Sequence, residues 1–297
     1  MREFVLAGCQ IASEPMDVRG NVEKGVEWIP KALEVGAEFI VFPETVTTGF
    51  NPGCSKEALW DKVDIAGGAI TEPIQKAAAK HGVYVIWPSY ERGEVRGDIY
   101  NTAFLIGRNG EIIGRYRKTH PWPGENINGI GWVIPGSETP VFDTDMGKIG
   151  IIICYDGDFP DLSTTIALKG AEIICRPSAL LRTYDHWWAT NFARAYDNHV
   201  YIAAVNAVGS DAIKTYYFGH SMILQPNGWK IAQGRCAEEI VYAKLTPEGL
   251  KNVYGGMTSP QIFDHMTDRN LEVYDVMKEG QSPFEPSKRI PVRKPKG

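Results

Sequence analysis

Residues 148 to 161 read KIGIIICYDGDFPD, an unbroken apolar run from Ile149 to Ile153 that delivers Cys154 and then stops in a cluster of Gly, Asp and Pro. That pattern specifies a buried strand ending in a sharp turn. A thiol at the carboxyl end of such a strand, followed by a helix-like stretch from Leu162 to Lys169, sits where open α/β sheets place reactive groups. Free cysteine also packs as a small buried hydrophobe, so this stretch alone leaves both readings open.

Around it the chain alternates short β-like runs with helix-like stretches. Phe4 to Ile11 reads as a strand, Asn21 to Val35 carries Val22, Val26, Ile29 and Leu33 at helical spacing, and Glu38 to Phe42 is a strand that delivers Pro43 and Glu44. The grammar recurs in a helix over Ile70 to His81 and a strand over Val83 to Ser89. Tyr100 to Ile106 and Ile112 to Tyr116 flank the turn Arg108 to Glu111 as a hairpin. Further on, Glu172 to Cys175 and Val200 to Val205 are strands separated by a helix over Asp185 to Asn198, and Gly219 to Leu224 runs as a strand into Pro226, Asn227 and Gly228. This order implies a layered α/β protein with a mixed sheet or two packed sheets. The pattern weakens from about Thr246; residues 1–280 are assigned to a single domain and 281–297, rich in Pro and Lys, to a C-terminal tail.

Composition excludes several classes. With 43% apolar and 23% charged residues in 297, the chain has the make-up of an ordinary soluble globular protein with a substantial core. A net charge of −5 gives no general attraction for nucleic acid. No apolar run approaches the roughly 20 residues that span a bilayer. The apolar stretch near the start runs only from Phe4 to Cys9, short of a secretory core, so a cytoplasmic location is expected. The five cysteines, at 9, 54, 154, 175 and 236, form no CxxC pair, which argues against a disulfide framework and a zinc site; neither metal nor cofactor is expected.

Three strand ends matter together: Glu44 follows FIVFP, Lys118 follows IIGRYR and Cys154 follows IGIII. Each has an ordinary reading, as a capping acid, a solvated surface lysine and a core thiol. Jointly, acid, cation and thiol are the parts of a thiol acyl-transfer site. A base deprotonates the sulfur, the thiolate attacks a carbonyl, and a positive charge holds the developing oxyanion.

VFPET with Glu44, YRKTH with Lys118 and CYDGDFP with Cys154, in this order and at these separations, resemble the nitrilase superfamily of carbon–nitrogen hydrolases, over a stretch from Phe4 to about Leu245. Within it, CYDGDFPD, KGAEIICR and YYFGHSMILQPNG are similar to the aliphatic amidase and formamidase branch. Trp122 and Glu125 in KTHPWPGE sit close to where that branch carries a pocket tryptophan and a second active-site glutamate. Tyr155 and Asp156 follow the cysteine where true nitrilases have Trp-Glu, which favours amides over nitriles.

The resemblance implies a four-layer αββα sandwich that forms homodimers or larger homo-oligomers through the helix after Cys154 and the one from Asp185. It also implies a Glu-Lys-Cys triad: Glu44 as general base, Cys154 as nucleophile, Lys118 and the Tyr155 N–H as the oxyanion site, and Glu125 orienting the amide or the hydrolytic water. Phe50 and Trp122 are assigned to the pocket, with Trp132 and Trp187 as further candidates. His120 is placed beside the substrate in a structural role, since Glu44 fills that of base, and Arg176 or Arg182 is the cation that could fold back over the pocket.

The chain also departs from the aliphatic amidases: it is shorter, and Thr45 stands where they carry a tyrosine. Its length and the RKTH form look more like the N-carbamoyl amino acid hydrolases. Those that act on free amino acid derivatives tend to bind the substrate carboxylate with arginines just after the Cys-Asp pair, where this chain has Gly157 and Asp158. Asp156 and Asp158 are expected to repel a carboxylate, and no arginine lies between Arg117 and Arg176. The reading is therefore a thiol-dependent amidohydrolase of a small, uncharged amide. The alternatives are an N-carbamoyl hydrolase, acyl transfer to an amine, or a non-turnover binding protein of the same fold.

Overall fold

Strand alternation decides the architecture seen in the computed structural model, which describes residues 1–128, 131–251 and 263–278. In β1 (Phe4–Gln10), β2 (Phe39–Val41) and β3 (Tyr84–Arg92), side chains Leu6, Phe39, Val41 and Ile86 join one apolar cluster, whereas Ala7, Ile40, Val85 and Trp87 join another. Successive residues point to opposite faces, so a sheet apolar on both must be covered on both.

β4 (Ile99–Ile106) extends this sheet antiparallel to β3, and β5 (Ile112–Arg117) follows antiparallel to β4. The second sheet is built from β6 (Val141–Thr144), β7 (Gly147–Ile151), β8 (Ile173–Ser178) and β9 (Tyr201–Asn206). A small ribbon follows, β10 (Val208–Ser210) with β11 (Tyr216–Phe218), and then β12 (Met222–Leu224) and β13 (Lys230–Gln233) complete the second sheet. β14 (Glu239–Leu245) returns to the first sheet and pairs antiparallel with β1.

The two six-stranded sheets have the same plan. Their orders, β14-β1-β2-β3-β4-β5 and β6-β7-β8-β9-β12-β13, each put three parallel strands in the middle, one strand paired antiparallel on one side and two successive antiparallel pairings on the other. Helices α1 (Val18–Leu33) and, after the short α2 (Lys56–Lys62), α3 (Glu72–His81) join the parallel strands of the first sheet and pack Val22, Ile29, Ile74 and Ala78 on its outer face. α4 (Pro160–Leu168) and α5 (Tyr184–Asn198) do the same for the second, with Leu162, Ile166, Trp187 and Ala195. The result is a four-layer αββα sandwich. The inner faces meet so closely at β1 and β9 that a Cβ at Gly8 would lie 2.6 Å from Val205 Cγ2.

β7 ends at Ile151, two residues before the apolar run does, although the Ile152 N–H still reaches the Cys175 carbonyl at 3.0 Å. The sequence reading missed α2, β6, the β10–β11 ribbon and β13, short pieces with little periodicity to read, and also β14, although Val241, Ala243 and Leu245 alternate inward with Tyr242 and Lys244 outward. The assigned tail, 281–297, lies outside the described residues. No helix among the described residues is long and apolar enough to cross a membrane.

Candidate active site

Glu44 follows β2, Lys118 follows β5 and Cys154 follows β7, and the carboxyl ends of these strands bring the three together between the sheets. The Lys118 side chain is completely buried. Its Nζ donates to Glu44 Oε1 at 2.7 Å and, by a short bond, to Glu125 Oε1. Asn101, on β4, donates from Nδ2 to both carboxylates, at 2.8 Å to Glu44 Oε1 and 3.2 Å to Glu125 Oε2. The second Glu44 oxygen accepts the Ala179 N–H at 2.8 Å, and Glu125 Oε1 also accepts the Trp122 N–H at 2.9 Å. Burial opposes the charge on Lys118, but Glu125 and Glu44 outweigh it and hold the ammonium well above the ordinary lysine range. Burial and then the Glu44 charge push the Glu125 carboxyl up, against Lys118.

Cys154 opens a 3₁₀ turn, Cys154–Asp158, in the left-handed region with φ 46°. A non-glycine residue there costs about 1 kcal/mol or more, and the turn is held against that cost from two sides. Arg176, on β8 and completely buried, donates from Nε and Nη2 to the Cys154 carbonyl at 2.9 and 2.7 Å. Its Nη1 is held by Thr190 and Asn191 of α5. Only glycine fits at 157, because a Cβ there would lie 2.0 Å from Arg176 Cζ. On the other side, Asp156 Oδ2 accepts the Ile153 N–H at 2.8 Å and the Tyr116 hydroxyl at 2.7 Å, while Oδ1 accepts the His120 N–H at 2.9 Å. Asp156 thus ties the cysteine turn to the segment that carries Lys118. Burial, then Glu44, pushes the Cys154 thiol up; Lys118, Arg176 and the Ala179 N–H act in the opposite direction.

Above the thiol is a narrow cleft lined by Phe50, Trp122, Cys154, Tyr155, Ala179, Leu180, Leu181 and Arg182. The acid and ammonium groups lie deeper, out of its wall. Phe50, Trp122 and Tyr155 are in the wall, Trp122 edge-on to Tyr155 at 4.9 Å. Four sequence expectations need correction. Arg176 has no route to substrate, being spent beneath the Cys154 carbonyl. His120 is outside the cleft, stacked on Phe159 at 3.9 Å with Nδ1 near Thr119. Trp187 is core, its Nε1 donating to the His220 carbonyl, and Trp132 packs on Tyr90. Asp156 and Asp158 do not present bare charge: the first is consumed by the bonds above, and the second is paired with Arg182 at 2.7 Å. Among the described residues no cluster of His, Cys, Asp and Glu is placed to hold a metal ion.

The sequence reading overlooked Asn101, the Ala179 N–H and the linking role of Asp156. Only Asn101 carried a signal, as a polar residue in strand register with inward-facing Ala103 and Leu105. Asp156→Asn is expected to replace one carboxylate oxygen by an amide donor facing donors that must then go unpaired. We expect a loss of about 1–3 kcal/mol in stability together with a fall in kcat greater than tenfold (roughly) as Lys118 loses its register with Cys154. Thermal unfolding and turnover kinetics on the same preparation separate the two; a stability loss with unchanged kcat would show that Asp156 does not position the site.

A four-layer sandwich with acid, ammonium and thiol at converging strand ends defines a class, and the chain belongs to the carbon–nitrogen hydrolase family, whose model matches residues 5–254. It is a hydrolase acting on carbon–nitrogen bonds. Among its relatives are a probable nitrilase of Schizosaccharomyces pombe, 33% identical over 228 residues (75% of this chain, 81% of the relative), and a formamidase of Bacillus cereus, 32% identical over 255 residues (82% and 74%). The crystal structure of Saccharomyces cerevisiae Nit3, a member of branch 10 of the nitrilase superfamily, superposes with a TM-score of 0.75 at 26% identity, covering 84% of this chain and 92% of that one.

Proposed function

We propose that the protein hydrolyses a small, uncharged amide to a carboxylic acid and ammonia through a Cys154 thioester. The observation that carries this is the buried Glu44–Lys118–Glu125 cluster set directly behind a strained cysteine at the base of a narrow, mainly apolar cleft.

Because the thiol is held protonated, deprotonation accompanies attack rather than preceding it. Glu44 takes the thiol proton as Sγ bonds to the amide carbon, and the carbonyl electron pair moves onto oxygen. Two of the three Lys118 N–H donors are spent on carboxylates, which leaves one for that oxyanion. The Tyr155 N–H, in the first turn of a 3₁₀ segment where backbone donors have no partner within the helix, supplies a second. Glu44 passes its proton to the nitrogen, ammonia leaves, and the thioester remains. Glu44 then deprotonates a water that attacks the thioester, and the returning proton restores the thiol as the acid departs.

A narrow cleft walled by Phe50, Trp122, Tyr155 and Leu180 suits a short acyl group. The test is ammonia release across a panel of short aliphatic amides, N-carbamoyl amino acids and nitriles. We expect neutral primary amides to show the highest kcat/KM and nitriles the lowest; an N-carbamoyl amino acid as best substrate would replace this reading by the carbamoyl one.

A further inference from the structure

We propose that the ion pair between Asp158 and Arg182 sets which charge the acyl pocket accepts, a specificity determinant that rests on the amidase reading above. Arg182 is the one charged side chain in the cleft wall among the described residues. It follows β8 in the loop that leads to α5, and its guanidinium lies 5.8 Å from the Trp122 ring and 5.9 Å from the Tyr155 ring. Its two terminal nitrogens meet the two oxygens of Asp158, each at 2.7 Å. That bidentate fit fixes the plane of the guanidinium and cancels its charge where the cleft opens. Asp158 is itself braced from behind, 3.7 Å from Arg176.

A neutral acyl chain meets apolar walls and a compensated ion pair. A substrate carboxylate would have to displace Asp158 from Arg182 while approaching Asp158 itself, and an ammonium would have to do the converse. Each partner therefore masks a preference that its removal exposes, and the two exposed preferences have opposite sign.

The experiment compares three amides of matched length on the intact enzyme: butyramide, neutral; succinamate, anionic; and β-alaninamide, cationic. For Asp158→Asn, which keeps the side-chain shape, the kcat/KM ratio of succinamate to butyramide is expected to rise by about tenfold or more, chiefly through KM. For Arg182→Met, the ratio of β-alaninamide to butyramide rises and that of succinamate falls. Ratios taken within one variant cancel the concentration of folded enzyme, so a poorly folding variant still reports. Ratios unchanged in both variants, with butyramide still preferred by the unsubstituted enzyme, overturn the ion-pair inference and leave the neutral-amide reading standing. Preference of the unsubstituted enzyme for succinamate overturns that reading, while the variant ratios still decide the role of the pair. No turnover of any of the three amides overturns both.

Discussion

Cys154→Ala is expected to abolish ammonia release, by about four orders of magnitude or more, while the protein unfolds at nearly the same temperature. The chemical half of that expectation follows from the cluster: no other thiol is placed against Glu44 and Lys118, so without Sγ no thioester forms. The stability half follows from size and backbone. Alanine removes a single heavy atom at a strand end, and it occupies the same left-handed φ of 46° with the same strain, so Arg176 keeps the carbonyl it holds. Cys9 and Cys175 are core thiols, Cys54 is half-buried and Cys236 is exposed; their alanine variants should keep turnover. Mass spectrometry after rapid quenching should find the acyl adduct on Cys154 alone. Retention of a substantial fraction of wild-type activity by Cys154→Ala would remove the thioester from the mechanism.

The second large effect is at Lys118. Lys118→Ala leaves Glu44 and Glu125 facing each other at 2% and 5% exposure with their shared cation gone. Breaking a buried ion pair from one side costs roughly 3–5 kcal/mol, and the two carboxyls relieve it by retaining a proton, which also disables the base. Loss of rate should reach about 10²- to 10⁴-fold, and Glu44→Gln alone should do comparable damage. The two should not multiply. Since Lys118→Ala already compromises Glu44, the double variant is expected to be little slower than the slower single one, and more stable than Lys118→Ala because one of the stranded charges has been removed. Denaturant unfolding and single-turnover acylation rates test both statements. Independent, multiplicative losses would place the two residues in separate roles.

The central strands were legible because each is a short apolar run closed by turn formers, and the parallel strands and their connecting helices follow from that punctuation. Glu44 and Cys154 could be singled out because each breaks an apolar run at its end, and Lys118 because it closes the IIGRYR strand segment. What the sequence hid was direction. Asp156, Asp158, Arg176 and Arg182 are close to the cysteine in sequence or in space, but nothing in their spacing says that Asp156 and Arg176 are spent holding the turn, or that Arg182 and Asp158 cancel one another at the rim. β14 alternates inward and outward residues as a strand should, but its place beside β1 rests on contacts across more than 200 residues, which no local pattern encodes (Phe4 opposite Leu245, for instance).

The paired plan of the two sheets has a consequence for how this protein can fail. Glu44, Asn101 and Lys118 hang from the first sheet, whereas Cys154, Arg176 and Ala179 hang from the second. On the mechanism proposed above neither half owns a working set of groups, so the reaction rate is expected to gauge the spacing and slip between layers. A bulkier residue at Gly8, pressing on Val205 across the midline, is expected to spread the two sheets and with them Glu44 from Cys154. Inactivation by mild heat or cosolvent should accordingly begin as a loosening between slabs, with catalysis lost while each slab still keeps its own hydrogen bonds.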